Sequence, residues 1–176
     1  MIRILIASLL ALVSTIAAAQ LTSSQVVTLK ATCQADATCA GYAATADDVA
    51  LAGWLNATDQ SYIVWVTSAS IDAIMRNGMD WARVDNLSVG KARIWDWMGR
   101  LGTLDCSKPN IRAGIDATWV GTAADLAVRA TVYAHCKRSA TRAEKALASG
   151  TGTDASPATM TYQGMLTYAD ASAVRS

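Results

Sequence analysis

The side chains best suited to chemistry in this chain are few and scattered. The only histidine, His135, stands beside Cys136, and a thiol next to an imidazole is one beginning of a nucleophilic pair. Adjacent residues on a helix point about 100° apart, however, so the two do not face each other. His135 is therefore expected on a helix surface. Asp80, Asp85 and Asp96 make no i,i+4 carboxylate pair and no D-x-D-x-D-G calcium loop. The sequence has no nucleophile elbow, phosphate loop or G-x-G-x-x-G. The expectation is that no residue is catalytic, cofactor-binding or metal-binding, so no cofactor or small-molecule substrate is implied and the chain is not an enzyme.

Cys33, Cys39, Cys106 and Cys136 contain no C-x-x-C and match no zinc spacing. Four cysteines in an exported chain allow three pairings, and nearness in sequence favours Cys33 with Cys39 and Cys106 with Cys136. In a reducing compartment all four would be small buried hydrophobes. Lys137, Arg138, Arg142 and Lys145 form the one basic cluster. The helix-turn-helix look of residues 122–148 invites a phosphate contact, but Glu144 lies among them and only four cations take part. A solvated helix face or a salt-bridging contact is the preferred reading, with no specific nucleic acid. Asn56-Ala57-Thr58 matches a glycosylation sequon, which has meaning only in a eukaryotic secretory pathway.

The elements that must position these groups are mostly helical. Thr22 with Gln25 and Thr141 with Glu144 form capping boxes, Thr122 with Asp125 and Ser70 open further helices, and Asp47 and Asp48 suit a helix start. Asn77-Gly78 ends one helix, and Pro109-Asn110 begins another carrying Ile111, Ile115 and Trp119. From Ser88, the residues Val89, Ala92, Trp95 and Met98 are placed on one face, with Trp97 off it as the candidate exposed aromatic. Tyr62 to Val66 is a short β-favouring run, and residues 81–87 are a loop or a single turn. Residues 150–158, GTGTDASPA, read as a linker. Beyond it Met160, Tyr162, Leu166 and Tyr168 form an apolar tail that either adds a strand to another subunit or packs back on its own domain.

Bulk composition narrows the options. With 15 Lys+Arg against 14 Asp+Glu there is no global attraction to nucleic acid or anionic lipid. A hydrophobic share of 52% against 16% charged residues is a folding composition. There are six Trp and no Phe, so indoles carry most of the large aromatic burial. Residues 1–19 have an n-region with Arg3, an uncharged run from Ile4 and Ala17-Ala18-Ala19 before Gln20, the pattern of a cleaved secretory signal. The run is shorter than the about 20 residues of a bilayer span, so no stable membrane span is expected. A buried N-terminal helix or an upstream start codon gives the same string.

From Gln20 onward the chain resembles a family of small tailed-bacteriophage proteins encoded among virion genes. The resemblance is carried by NATDQSYIVW (56–65), NGMDWARVDNLSVGKARIWDWM (77–98), SKPNIRAGIDATWVGTAADLAVRA (107–130), HCKRSATRAEKALASGTGTDASPATM (135–160) and MTYQGMLTYADASAVR at the end. It implies a virion structural protein, of the head–tail neck or tail, that packs against other virion proteins and copies of itself. Family members begin near the position of Leu21, so residues 1–19 are either an exported extension or a product of start-site choice. The localisation implied is the virion, and the alternative is a periplasmic or secreted disulfide-stabilised binding protein.

The expected architecture is mainly α: a compact bundle of about six short helices with a short extended C-terminal tail. Its parts are residues 1–19 as signal or extension, 20–149 as the helical domain, 150–159 as linker and 160–176 as tail. Candidate interaction residues are Trp97, Met160, Tyr162, Leu166 and Tyr168.

Overall fold

The computed structural model describes residues 21–176, so the expected signal at 1–19 lies outside the described residues. Helix starts follow local hydrogen-bond chemistry. Thr22 precedes α1 (Ser23–Gln34), Thr122 precedes α8 (Ala123–His135), Thr141 precedes α9 (Arg142–Leu147) and Thr167 precedes α10 (Tyr168–Arg175). Each of these threonines forms a reciprocal capping box with the residue three positions on. Asp36, Asp47, Ser70 and Asp80 cap α2 (Ala37–Ala44), α3 (Asp48–Asn56), α4 (Ile71–Gly78) and α5 (Trp81–Asp85) through their side chains. Each such cap satisfies backbone donors that a helix start otherwise leaves open, a contribution of about 1 kcal/mol. Ser88, before α6 (Val89–Gly99), makes no side-chain cap, and Pro109 occupies the first turn of α7 (Pro109–Thr118).

Two small antiparallel sheets join these helices. β1 (Thr58–Trp65) pairs with β4 (Lys137–Thr141), running from Thr58 opposite Thr141 to Trp65 opposite Lys137, with an irregularity between Asp59 and Ile63. β2 (Ala69–Ser70) pairs with β3 (Thr103–Leu104). Residues 149–159 lie along the other edge of β1. Ile63 N donates to Gly152 O at 2.7 Å, Trp65 N to Ala158 O at 3.0 Å and Ala158 N to Ile63 O at 2.9 Å. Gly152 is required there: its φ is +67° and a Cβ would strike the Tyr62 ring.

The buried residues form two large clusters. The first gathers Ile74, Trp95, Met98, Leu104, Ile115, Trp119 and Val132 from α4, α6, β3, α7 and α8, around the Cys106–Cys136 disulfide. The second gathers Leu29, Leu51, Leu55, Leu147, Tyr162, Leu166 and Val174 from α1, α3, α9 and the C-terminal segment, around Cys33–Cys39. β1 carries the chain out of the second cluster towards the first, and β4 carries it back from α8 to α9. The paired strands are thus the joint between the two lobes, and Val64, Ala140 and Ala158 make a small core of their own there.

This architecture corrects the expected bundle of about six helices with an extended tail. Ten helices and two antiparallel sheets are present among the described residues, a helix-rich α/β mixture. Residues 137–141 are strand because β1, some 75 positions earlier, takes their backbone hydrogen bonds. No local signal in Lys-Arg-Ser-Ala-Thr announces that partner. The helix-turn-helix reading of 122–148 falls for the same reason, since β4 separates α8 from α9.

Of the two courses left open for the tail, it packs back on its own domain, and the expected extended form is corrected to a segment ending in α10. Tyr162 and Leu166 are 7% and 4% exposed, and α10 packs on α3 with Arg175 Nε 2.8 Å from Asp48 Oδ1. An apolar run with its own helix cap and a facing groove is buried rather than displayed. Residues 150–159 are bonded to β1 instead of forming a free linker.

Candidate interaction surfaces

The residues that resembled catalytic groups are structurally engaged. Cys136 is bonded to Cys106 and lies at the C-terminus of α8, so His135 has no thiol beside it. Asp80 caps α5, and Asp96 pairs with Arg100 at 2.8 Å on the solvent face of α6. Among the described residues no group of three or more His, Cys, Asp or Glu could hold a metal ion. Asn56 of the sequon donates Nδ2 to Leu166 O at 2.8 Å.

The basic cluster is consumed within the chain. Lys145 Nζ meets Asp59 Oδ2 at 2.7 Å, and Arg142 lies over the Trp54 ring at 4.5 Å. Arg138 donates both terminal nitrogens to Glu144, at 2.7 and 2.6 Å. Glu144 is 2% exposed. Burial pushes its carboxyl up, yet Arg138, the Thr141 amide and the Gly164 amide together hold it below the ordinary carboxylate value. The pair binds β4, α9 and the C-terminal segment into one piece.

Of the five candidate interaction residues, two are displayed. Trp97 is 56% exposed on the outer flank of α6, and Tyr168 is 71% exposed at the start of α10. Met160 is half-buried against Val64, Ala140 and Ala158. Tyr162 and Leu166 belong to the second core, as above, and are withdrawn as contact residues. Val89, expected on the inward face with Trp95 and Met98, is instead 70% exposed, because nine residues of helix turn it half a circle away from Met98; Leu101, 44% exposed, lies in the turn that follows α6. Trp81, on neighbouring α5, is 57% exposed. The opposite flank of α6 supplies Trp95 and Met98 to the first core, where Trp95 meets Trp119 edge to face at 5.2 Å.

A groove not legible in the sequence lies where β1 meets α7 and α8. Its volume is about 910 Å³, and Trp65 and Tyr133 form its aromatic floor with ring centroids 5.8 Å apart. Arg112 and Asp116 come from one turn of α7, Arg129 and Tyr133 from α8, and Lys137 from the first position of β4. Val120 and Leu126, 46% and 41% exposed, stand on its rim. Arg112 sits over the Trp65 ring at 4.7 Å, while its Nη1 donates to the Cys106 and Ser107 carbonyls at 2.8 Å each. Arg129 lies 3.6 Å from Asp116, and Lys137 lies 3.2 Å from Asp154 Oδ1. Tyr133 Oη donates to Asp116 Oδ1 at 3.1 Å. Burial, then the Asp116 charge and that hydrogen bond, push the phenol up to about 12, so it keeps its proton and stays neutral. The one local signal is the spacing of four in 112/116 and in 129/133, which places each pair on one helix face, whereas Lys137 arrives from β4 with no such mark.

These features define a small, two-lobed, disulfide-bonded domain whose distinctive chemistry lies at its surface. Comparison with protein-family models, with characterised proteins and with solved structures finds no match to this chain. No described helix is long and apolar enough to cross a membrane.

Proposed function

We propose that this protein is a structural component of a tailed-bacteriophage particle, at the head–tail neck or in the tail, and that it acts by packing against other proteins and copies of itself rather than by catalysis. The observation that carries this reading is the outer flank of α6. Val89 and Trp97 stand exposed there, with Leu101 exposed in the turn that follows, while Trp95 and Met98 hold the same helix to the core. A large aromatic on a fixed helix is a low-entropy anchor for a subunit contact. The extended resemblance to virion proteins after Gln20 supports the particle assignment. The test is mass spectrometry and antibody labelling of purified phage particles encoded beside this gene. A chain present at a fixed stoichiometry at the neck or tail supports the reading, and its absence from intact particles overturns it.

A second reading is an exported, disulfide-stabilised binding protein. It is favoured by the disulfides, one in each large apolar cluster. Disulfides persist in oxidising compartments. Thiol labelling of native material under denaturing, non-reducing conditions separates the two: protected cysteines favour export, and four reactive thiols favour assembly in the cytoplasm.

A further inference from the structure

We propose that the Trp65–Tyr133 groove is a docking site for an extended acidic peptide segment of a partner protein, one that alternates carboxylates with apolar side chains. The inference rests on the packing role argued above and assigns it a second, separate surface.

Charge placement carries the argument. Three cations, Arg112, Arg129 and Lys137, line the groove against two carboxylates, Asp116 and Asp154. Arg129 and Lys137 are each paired with one of those carboxylates. Arg112 has no carboxylate within ion-pair distance among the described residues. Its Nη1 is fixed by two backbone carbonyls and its plane is held over the Trp65 ring. The guanidinium is therefore oriented in advance, with its other nitrogens left to form the forked contact a carboxylate accepts.

The surroundings choose among anions. Asp116 and Asp154 beside the cations oppose a dense polyanion such as nucleic acid, whose phosphates need a continuous basic track. The aliphatic rim of Val120 and Leu126 offers apolar side chains a seat that sugar hydroxyls do not use. An open groove of about 910 Å³ suits a chain that runs through it. A peptide with one carboxylate on Arg112 and a flanking apolar residue on Leu126 meets all three conditions.

The test uses the full chain and three acetylated, amidated octapeptides: alternating Glu and Leu, the same with Ser for Glu, and the same with Lys for Glu. A dT octamer and a hexagalacturonate are run beside them, and binding is read by calorimetry and by shifts of the Trp65 indole resonance. The Glu peptide is expected to bind at least tenfold more tightly than the Ser peptide, with no binding of the Lys peptide. Arg112→Gln should remove that preference. Arg112 also braces the Cys106–Ser107 backbone, so Leu126→Glu is the companion variant: it lies at an exposed position and should repel the Glu peptide with the fold intact. Tighter binding of the oligonucleotide or the uronate overturns the proposal, as does Glu-peptide binding that ignores both variants, or no peptide binding at all. Trp97→Ser should leave peptide binding unchanged, so failure of the groove and failure of the α6 packing surface are read separately.

Discussion

Asn56 and Leu166, 110 positions apart, hold each other through two hydrogen bonds of 2.8 Å, the Asn56 amide nitrogen to the Leu166 carbonyl and the Leu166 amide to Asn56 Oδ1. One side chain at the end of α3 thus replaces a strand partner for the segment that leads into α10. The C-terminal segment is a wall of the second lobe, and the stability of that lobe depends on it.

Deleting residues 159–176 should unfold the second lobe, because it removes Tyr162, Leu166, Ala171 and Val174 from the core. Emptying even one such large buried site costs about 2–5 kcal/mol, and a whole domain has only about 5–15. Circular dichroism of the truncated chain should show helix loss well beyond α10. The milder Asn56→Ala should cost about 2–3 kcal/mol through the unpaired Leu166 backbone groups. A truncation with an unchanged melting temperature would return these residues to the status of a tail.

Breaking the buried ion pair should destabilise more than removing its charge. Arg138→Met leaves the Glu144 carboxylate 2% exposed and unpaired. The expected loss is about 3 kcal/mol, at the low end for a buried pair because the Arg138 side chain is 34% exposed. Adding Glu144→Gln to that variant should recover part of it. Urea midpoints of the two variants check this, and equal midpoints for wild type and Arg138→Met would refute it.

Acid should weaken the fold through carboxylates held low in the folded state. Lys145 and then the Ser61 hydroxyl and amide hold the Asp59 carboxyl at about 2, and Glu144 is likewise lowered. A carboxyl whose folded value lies below its unfolded one stabilises the fold above the unfolded value, about 4, and that contribution is lost as pH falls through the folded value. Stability should therefore hold from neutral pH to about 5 and decline below about 4. Lys145→Met should flatten the Asp59 part of the decline, and an identical acid profile in that variant would disprove the assignment.

The two disulfides should differ in weight. The Cys106–Cys136 bridge spans 30 positions and Cys33–Cys39 spans 6. Loop-closure entropy gives roughly 3.5 kcal/mol for the longer and roughly 2 for the shorter. Paired Cys→Ala variants, compared by thermal melting, should rank in that order. The reverse ranking would mean that packing around Cys33 and Cys39 outweighs chain entropy.

Trp97→Ser should leave the unfolding free energy within about 0.5 kcal/mol of wild type, since the ring is mostly in water. The same change should reduce incorporation into particles or self-association measured by sedimentation. A stable variant that still assembles normally would remove the α6 flank from the functional reading.

How much of this was legible depends on distance along the chain. Thr22 with Gln25 and Thr141 with Glu144 are visible as capping boxes because both partners lie within three residues. Trp95, Met98, Ile111 and Ile115 are visible as core because helical spacing places them on one face. The cysteine pairing, Cys33 with Cys39 and Cys106 with Cys136, follows the same nearness along the chain. α2 is short and carries weak periodicity, so it escapes such a reading, while α5 is little more than the single turn left open for residues 81–87.

What the sequence determines by itself is local: where many of the helices begin, that Trp95 and Met98 turn inward on α6 although Val89 does not join them, and the lack of any familiar catalytic spacing. The tertiary structure alone decides that residues 137–141 become a strand, that Tyr162 and Leu166 go inside, and that Arg112, Asp116, Arg129, Tyr133 and Lys137 surround Trp65. The physical reason is that backbone pairing and apolar burial are satisfied by whichever partner folding brings near. Here that partner stands about 75 or 110 positions away with no mark in the local residues.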